Sequence, residues 1–178
     1  MGTLSELTYF VMVKLDFKNT MPKTHIYYMF AFILLGLFYH SILKDYISKK
    51  KLVAIIVTFE LYAILNAVFI QSIFKYPTWP RAFLSLVFLL ASIIYFHKTM
   101  MEARIKNLRS EPLIWINTAV LIYYAGSLFY SILFNLILEY STDYAKLIVN
   151  YFGILNALFY MLITVGFWKA GKLVRSNS

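Results

Sequence analysis

The sequence predicts an all-α integral membrane protein, a helical bundle of five transmembrane helices with a short N-terminal helix or helix stump. Five apolar runs, at 25–43, 52–74, 82–101, 113–138 and 147–168, are each long enough at about 1.5 Å per residue to cross a hydrocarbon core of about 30 Å. The composition agrees: 61% of the 178 residues are hydrophobic and 14% charged, against soluble norms of about 45–50% and about 25%. The bases, which give a formal charge of +9, lie between the apolar runs and do not form one polar face. That placement fits a membrane surface and no nucleic-acid partner.

Residues 1–23 hold one short apolar segment, Leu7 to Val13, broken by Lys14, Asp16 and Lys18. Leu4 to Leu15 is therefore expected to be an interfacial helix or the end of a longer spanning one. Glu6 stands where a basic leader would be, and nothing like Ala-x-Ala follows Leu15, so no cleavable signal peptide is expected. Glu6 also breaks the myristoylation pattern after Met1-Gly2.

The first span ends at Lys44, Asp45 and Lys49 to Lys51, a run that reads as a topology signal and, less strongly, as an anionic-lipid site. The second contains Glu60, Asn66 and Gln71. Its exit, Lys75-Tyr76-Pro77-Thr78-Trp79-Pro80-Arg81, is a turn in which prolines stop both helices and Tyr and Trp suit the headgroup belt. The third span leads into the charged link 102–111, Pro112 opens the fourth, and a basic tail with Lys169, Lys172 and Arg175 follows the fifth. With no repeat, low-complexity tract or linker, residues 1–178 read as a single membrane domain.

Five spans place the termini on opposite sides. Lys and Arg number eleven over the first loop, third loop and tail, counting Lys98 near the end of the third span with its loop, and six over the N-terminus, second and fourth loops. The positive-inside rule then puts the C-terminus in the cytoplasm and residue 1 outside. A tail with three lysines would have to cross without a preceding helix. Further helices upstream, with Leu4 to Leu15 the stump of one, would remove that difficulty.

Glu6-Leu7-Thr8-Tyr9-Phe10, His25-Ile26-Tyr27, Leu65-Asn66 with Gln71, Pro112 followed by Trp115-Ile116-Asn117, Leu121-Ile122-Tyr123, and Gly166-Phe167-Trp168 are spread over most of the chain. In these stretches it resembles an uncharacterised group of about seven-helix membrane proteins from Bacteroidota, sometimes associated with sensor histidine kinases. The resemblance implies a bacterial cytoplasmic membrane, a signalling context and an N-terminally truncated chain that keeps half of the group's second helix. It implies no activity. A helix like the first full span often carries Glu in that group, where this chain has Ala31.

The candidate site is an intramembrane polar pocket of Glu60, Asn66, Tyr95, Asn117, Tyr124, Asn156 and Tyr160. A charged group near the bilayer centre costs about 2.5–3.5 kcal/mol on insertion scales, so Glu60 needs partners. Eight residues past the start of its span it lies about 12 Å deep, and Tyr124, Tyr95 and Tyr160 reach comparable levels. Glu60 reads either as a proton-linked or ligand-binding group or as a neutral carboxyl that glues two helices together. Asn117, Tyr124, Ser131 and Asn135 recur at 7, 7 and 4 on one helical face, and Asn150, Gly153, Asn156, Tyr160 and Thr164 at 3, 3, 4 and 4 on the next. The two stripes are expected to face each other. They form either packing hydrogen bonds, with Gly153 allowing close approach, or a wet tyrosine-lined pocket.

Tyr28, Phe32, Leu35 and Tyr39 make an aromatic stripe that reads as helix packing. His25, His40 and His97 lie at span ends, where amphipathic rings sit at headgroup level; a metal or haem pair at His40 and His97 is the competing reading. Cysteine is absent, no phosphate-binding glycine loop is present and no serine has an identifiable base. No catalytic residue, metal or cofactor is assigned. The expected function is a non-enzymatic signalling or sensing membrane module; the alternative is a small transporter or channel subunit using Glu60. An enzyme acting on lipid would need a nucleophile or metal cluster that the sequence does not display. The expected partners are the lipid bilayer, a membrane protein or a second copy of the chain, and a small lipophilic ligand.

Overall fold

The computed structural model describes residues 21–102, 108–140 and 142–176, with side-chain surroundings for all of these except 133–140, 142–146, 149 and 176. Every regular element among them is a helix: α1 (Met21–Ile42), α2 (Lys49–Leu65, continued by a wider π-helical turn over Asn66–Ile70), α3 (Thr78–Glu102), α4 (Pro112–Tyr140) and α5 (Thr142–Ser176). All five contain a stretch long and apolar enough to cross a membrane. The fold is the expected all-α membrane architecture. The N-terminal segment 4–15 lies outside the described residues.

The boundaries follow local chemistry. Pro22 fits the first turn of α1, where its missing N–H has no helical partner to lose, so the helix starts earlier than the apolar run. Ser48 caps α2, its Oγ accepting from the Lys51 N–H at 3.4 Å. The second span was expected to run to Phe74 but ends at Ile70. There the Gln71 N–H closes a five-residue turn onto the Asn66 carbonyl at 2.7 Å, and Gln71 itself turns extended (φ −119°, ψ 124°). In the other direction, α5 continues beyond Trp168 to Ser176, carrying the basic tail on helix. Its 35 residues give about 52 Å, well beyond the hydrocarbon thickness.

The chain divides into two compact units within α3, Met1–Leu84 and Ser85–Ser178. In the first, α1 turns Phe32 and Tyr39 inward as the aromatic stripe predicts. Phe32 stacks on Phe59 of α2 with ring centroids 3.8 Å apart and planes 9° from parallel. Phe59 also meets Phe83 at 6.0 Å, which joins the first turns of α3 to this core. At Gly36 an added Cβ would meet Leu52 and Ile56 at 3.5 Å, an ordinary contact, so α1 and α2 leave room there for one methyl group. Outward, Ile26, Phe30, Val53, Val57, Leu61 and Val68 are exposed large apolar residues, as lipid-facing helices require.

In the second unit, α4 and α5 run antiparallel. Gly126 faces Leu155 and Gly166 faces Ile116, while Tyr123 meets Phe152 and Phe159 at 5.6 and 4.8 Å and Tyr130 meets Phe152 at 4.8 Å. At one end Lys169 lies over Trp115 at 5.5 Å, Lys172 over Trp168 at 3.9 Å, and the Trp115 indole donates to the Arg109 carbonyl at 2.9 Å. Cations on indole faces suit the headgroup level.

Gly153 does not have the expected role. It is exposed, and an added Cβ there would meet nothing within 4 Å. At Gly166 a Cβ would meet Ile116 Cγ1 at 2.7 Å and the Pro112 carbonyl oxygen at 3.3 Å. Gly166→Ala is therefore expected to destabilise the protein by about 1–3 kcal/mol through overpacking. Gly153→Ala is expected to be neutral or to stabilise by up to about 1 kcal/mol from helix propensity. Unfolding of both variants in mixed micelles against the parent checks the contrast.

Candidate functional site

The seven residues of the expected pocket divide between the units: Glu60 and Asn66 belong to the first, and Tyr95, Asn117, Tyr124, Asn156 and Tyr160 to the second.

In the second unit the polar stripe of α4 is met by α3. Asn117 Nδ2 donates to the Ser92 carbonyl at 3.0 Å, and Ser92 Oγ donates back to the Asn117 carbonyl at 3.1 Å. Seven residues earlier on α3, Ser85 Oγ donates to Ser127 Oγ at 3.1 Å. Between them Phe88 packs on Tyr124 with centroids 5.5 Å apart. Ser131 returns its hydroxyl to the Ser127 carbonyl at 2.9 Å. All of these residues are buried, and so is Tyr95, one turn past Ser92 on the same stripe of α3. The partner numbers fall along α4 as they rise along α3, so this is an antiparallel seam with the small-residue, seven-residue spacing of closely packed helices.

The expected facing of the α4 and α5 stripes is corrected. Asn150, Gly153, Tyr160 and Thr164 are exposed, Asn156 is half-buried, and the Thr164 hydroxyl bonds back to the Tyr160 carbonyl at 2.8 Å. What α5 turns to α4 is Phe152, Leu155, Phe159 and Gly166. The physical reason is that Tyr123 and Tyr130 form an aromatic face beside the polar one, and ring packing over Gly126 and Gly166 buries more apolar surface. Asn135 falls outside the described side chains. Ser85 and Ser92 were missed in the sequence; their seven-residue interval, matching that of Asn117, Tyr124 and Ser131, was the available signal.

The first unit is the opposite case. Asn66 is 1% exposed, yet neither its Oδ1 nor its Nδ2 has a hydrogen-bond partner among the described residues. The same holds for both carboxyl oxygens of Glu60. Asn66 opens the π turn, a form of helix that concentrates at functional positions. Glu60 lies below Ile64 on one side of α2, about 6 Å along the axis. An apolar cleft of about 190 Å³ begins there, bounded on α2 by Ala63, Ile64, Ala67 and Val68.

Beside that cleft the 71–77 connection is tied to α1. His25 Nε2 donates to the Lys75 carbonyl at 3.1 Å and the Tyr28 and Tyr76 hydroxyls lie 2.8 Å apart. The buried Arg81 guanidinium sits over both rings, 5.9 and 5.4 Å from their centroids. Of the other histidines, His97 is exposed and His40 half-buried. No group of three His, Cys, Asp or Glu able to hold a metal occurs among the described residues. No family model, curated protein or solved structure matches the chain.

The seam and the α5 stripe should separate in mutagenesis. Asn117→Ala removes the Nδ2 bond to the Ser92 carbonyl and keeps the backbone carbonyl that accepts from the Ser92 hydroxyl, so a loss of about 0.6 kcal/mol, with a ceiling near 1.7, is expected. Asn156→Ala should cost less than half of that. Denaturation by sodium dodecyl sulfate, followed by circular dichroism, measures both.

Proposed function

We propose that this chain is a non-enzymatic multi-pass membrane module of sensing or signalling kind, with the receptive element in α2 of the first unit. The supporting observation is that the carboxyl oxygens of half-buried Glu60 and the amide of buried Asn66 have no hydrogen-bond partner among the described residues. A buried polar group left unpaired costs about 1–3 kcal/mol, more when charged. A small lipophilic molecule carrying a hydrogen-bonding group would remove that cost by pairing with them. The π turn at Asn66 gives the helix a second way to close its backbone bonds, and a bound ligand could select between the two. Output would pass to a membrane protein partner or a second copy, since nearly all of the chain's mass is in apolar helices. In this reading the chain resides in a bacterial cytoplasmic membrane with the basic end of α5 in the cytoplasm, the side that carries eleven of seventeen bases when Lys98 is counted with the loop that follows it.

A second reading, a small transporter or channel subunit, is favoured by Glu60 alone, because an intramembrane carboxyl without a fixed partner suits a proton or cation that comes and goes. The two readings part in one set of measurements. Glu60→Gln and Asn66→Leu in the full chain are expected to change the output of a co-isolated partner, such as a kinase, by at least threefold. Asn66→Leu should keep the parent's thermal midpoint or exceed it, because the apolar replacement removes an unpaired group, and Glu60→Gln should keep it, because a neutral amide is no costlier there than the carboxyl. Unchanged partner output in both would defeat the sensing reading. Ion flux in proteoliposomes that Glu60→Gln abolishes would replace it with the transport reading.

A further inference from the structure

The cleft of the first unit has a chemistry that the polar groups of α2 do not use. Ile26 and Met29 of α1, Ile64 and Val68 of α2, and Ile73 and Pro77 of the connection make its walls. Ile26, Val68 and Ile73 are 54%, 68% and 41% exposed, so the cleft opens sideways to the surroundings of the spans, which is lipid. About 190 Å³ corresponds to roughly six waters' worth of liquid volume, but the walls offer no polar partners to hold water. A length of alkyl chain is the matching occupant.

The rim is cationic. Residues 21–42 and 66–84 contain Lys23, Lys75 and Arg81 and no Asp or Glu. The bond from His25, itself a wall of the cleft, holds the Lys75 backbone at the mouth and leaves the Lys75 side chain exposed. Arg81 lies one ring's breadth away behind Tyr28, another wall residue. Trp79, 62% exposed, and Tyr76 mark this end as the headgroup level. An apolar slot beneath a one-signed rim at that level matches an amphiphile with an anionic head.

We infer that the cleft holds an acyl chain of an anionic phospholipid from the bilayer, with the phosphate met by Lys75 in the field of Arg81. This stands apart from the sensing role, since the lipid would bind whatever the protein's output. A second copy of the chain is the poorer occupant, because a two-fold contact at this rim would set the same cations against each other.

The test uses the full chain purified in mild detergent, with phosphatidylglycerol and phosphatidylcholine of identical acyl chains and native mass spectrometry as the readout. The parent should retain the anionic lipid about fivefold over the zwitterionic one, the factor expected from one surface cation. Raised salt should narrow the gap. Lys75→Gln should abolish the preference and leave zwitterionic binding unchanged. Val68→Trp, at an exposed wall position where folding is not at stake, should lower both adducts. Ile154→Trp, on the exposed face of α5, should lower neither. Equal retention of the two lipids by the parent overturns the inference. So does a Val68→Trp protein of unchanged melting point that keeps its adducts, or dimers appearing in place of lipid.

Discussion

The reciprocal bonds between Asn117 and Ser92 express the constraint on which the second unit depends. In hydrocarbon no water stands ready to satisfy a side-chain amide, so Asn117 must be placed where another helix answers it. The Ser92 carbonyl answers the amide and the Ser92 hydroxyl donates to the backbone carbonyl of Asn117, which fixes the register of α3 against α4. With that register set, Phe88 falls on Tyr124 and Ser85 on Ser127. The polar face of α4 is then used up, and its neighbouring aromatic face is left for α5. Glycines at 126 and 166 admit that helix closely, which lets dispersion between rings and aliphatic chains replace the hydrophobic drive that lipid does not supply.

The first unit is held by other means. A Phe32–Phe59 stack joins α1 to α2, and a ring-and-guanidinium cluster of Tyr28, Tyr76 and Arg81 fastens the connection between α2 and α3. Neither device needs the polar groups in the middle of α2. Asn66 is fully buried and Glu60 half-buried, yet among the described residues neither the amide nor the carboxyl is answered as the Asn117 amide is. The same physics that accounts for the second unit's seam leaves these two groups unanswered among the described residues.

Much of this was legible in the sequence, and the exceptions have definite causes. The five spans emerged from run length alone, because a helix that faces lipid has no amphipathic pattern to misread. Pro112 opened α4 where its chemistry put it, and the stripe of Phe32 and Tyr39 packed as expected. The end of α2 was misplaced by four residues because Ile73 and Phe74 are as apolar in the connection as in a helix; hydropathy does not register where Gln71 turns extended. The stripe on α4 was found, but its partner was assigned to the wrong neighbour. Polar residues spaced along α5 looked like a matching face, whereas two serines on α3, too ordinary to stand out, supplied the match. Of the candidate site, Asn117 and Tyr124 lie in the seam between α3 and α4, and the carboxyl of Glu60 and the amide of Asn66 have no hydrogen-bond partner among the described residues.

That contrast bears on where a conformational change could be seated. Only 17% of the α2 span is buried within the protein, against 39% for α3. The α5 span is covered less still, at 11%, but among the described residues it carries no buried polar group without a partner. Low coverage lowers the cost of moving a helix, and unpaired groups lower the cost of leaving the present arrangement, since an alternative that satisfied them would recover about 1–3 kcal/mol apiece. A two-state element biased by a ligand needs an energy gap of only a few kcal/mol between its forms. Within the structure described, α2 combines both conditions in one helix. Its π turn marks the point at which one further residue per turn has already been admitted.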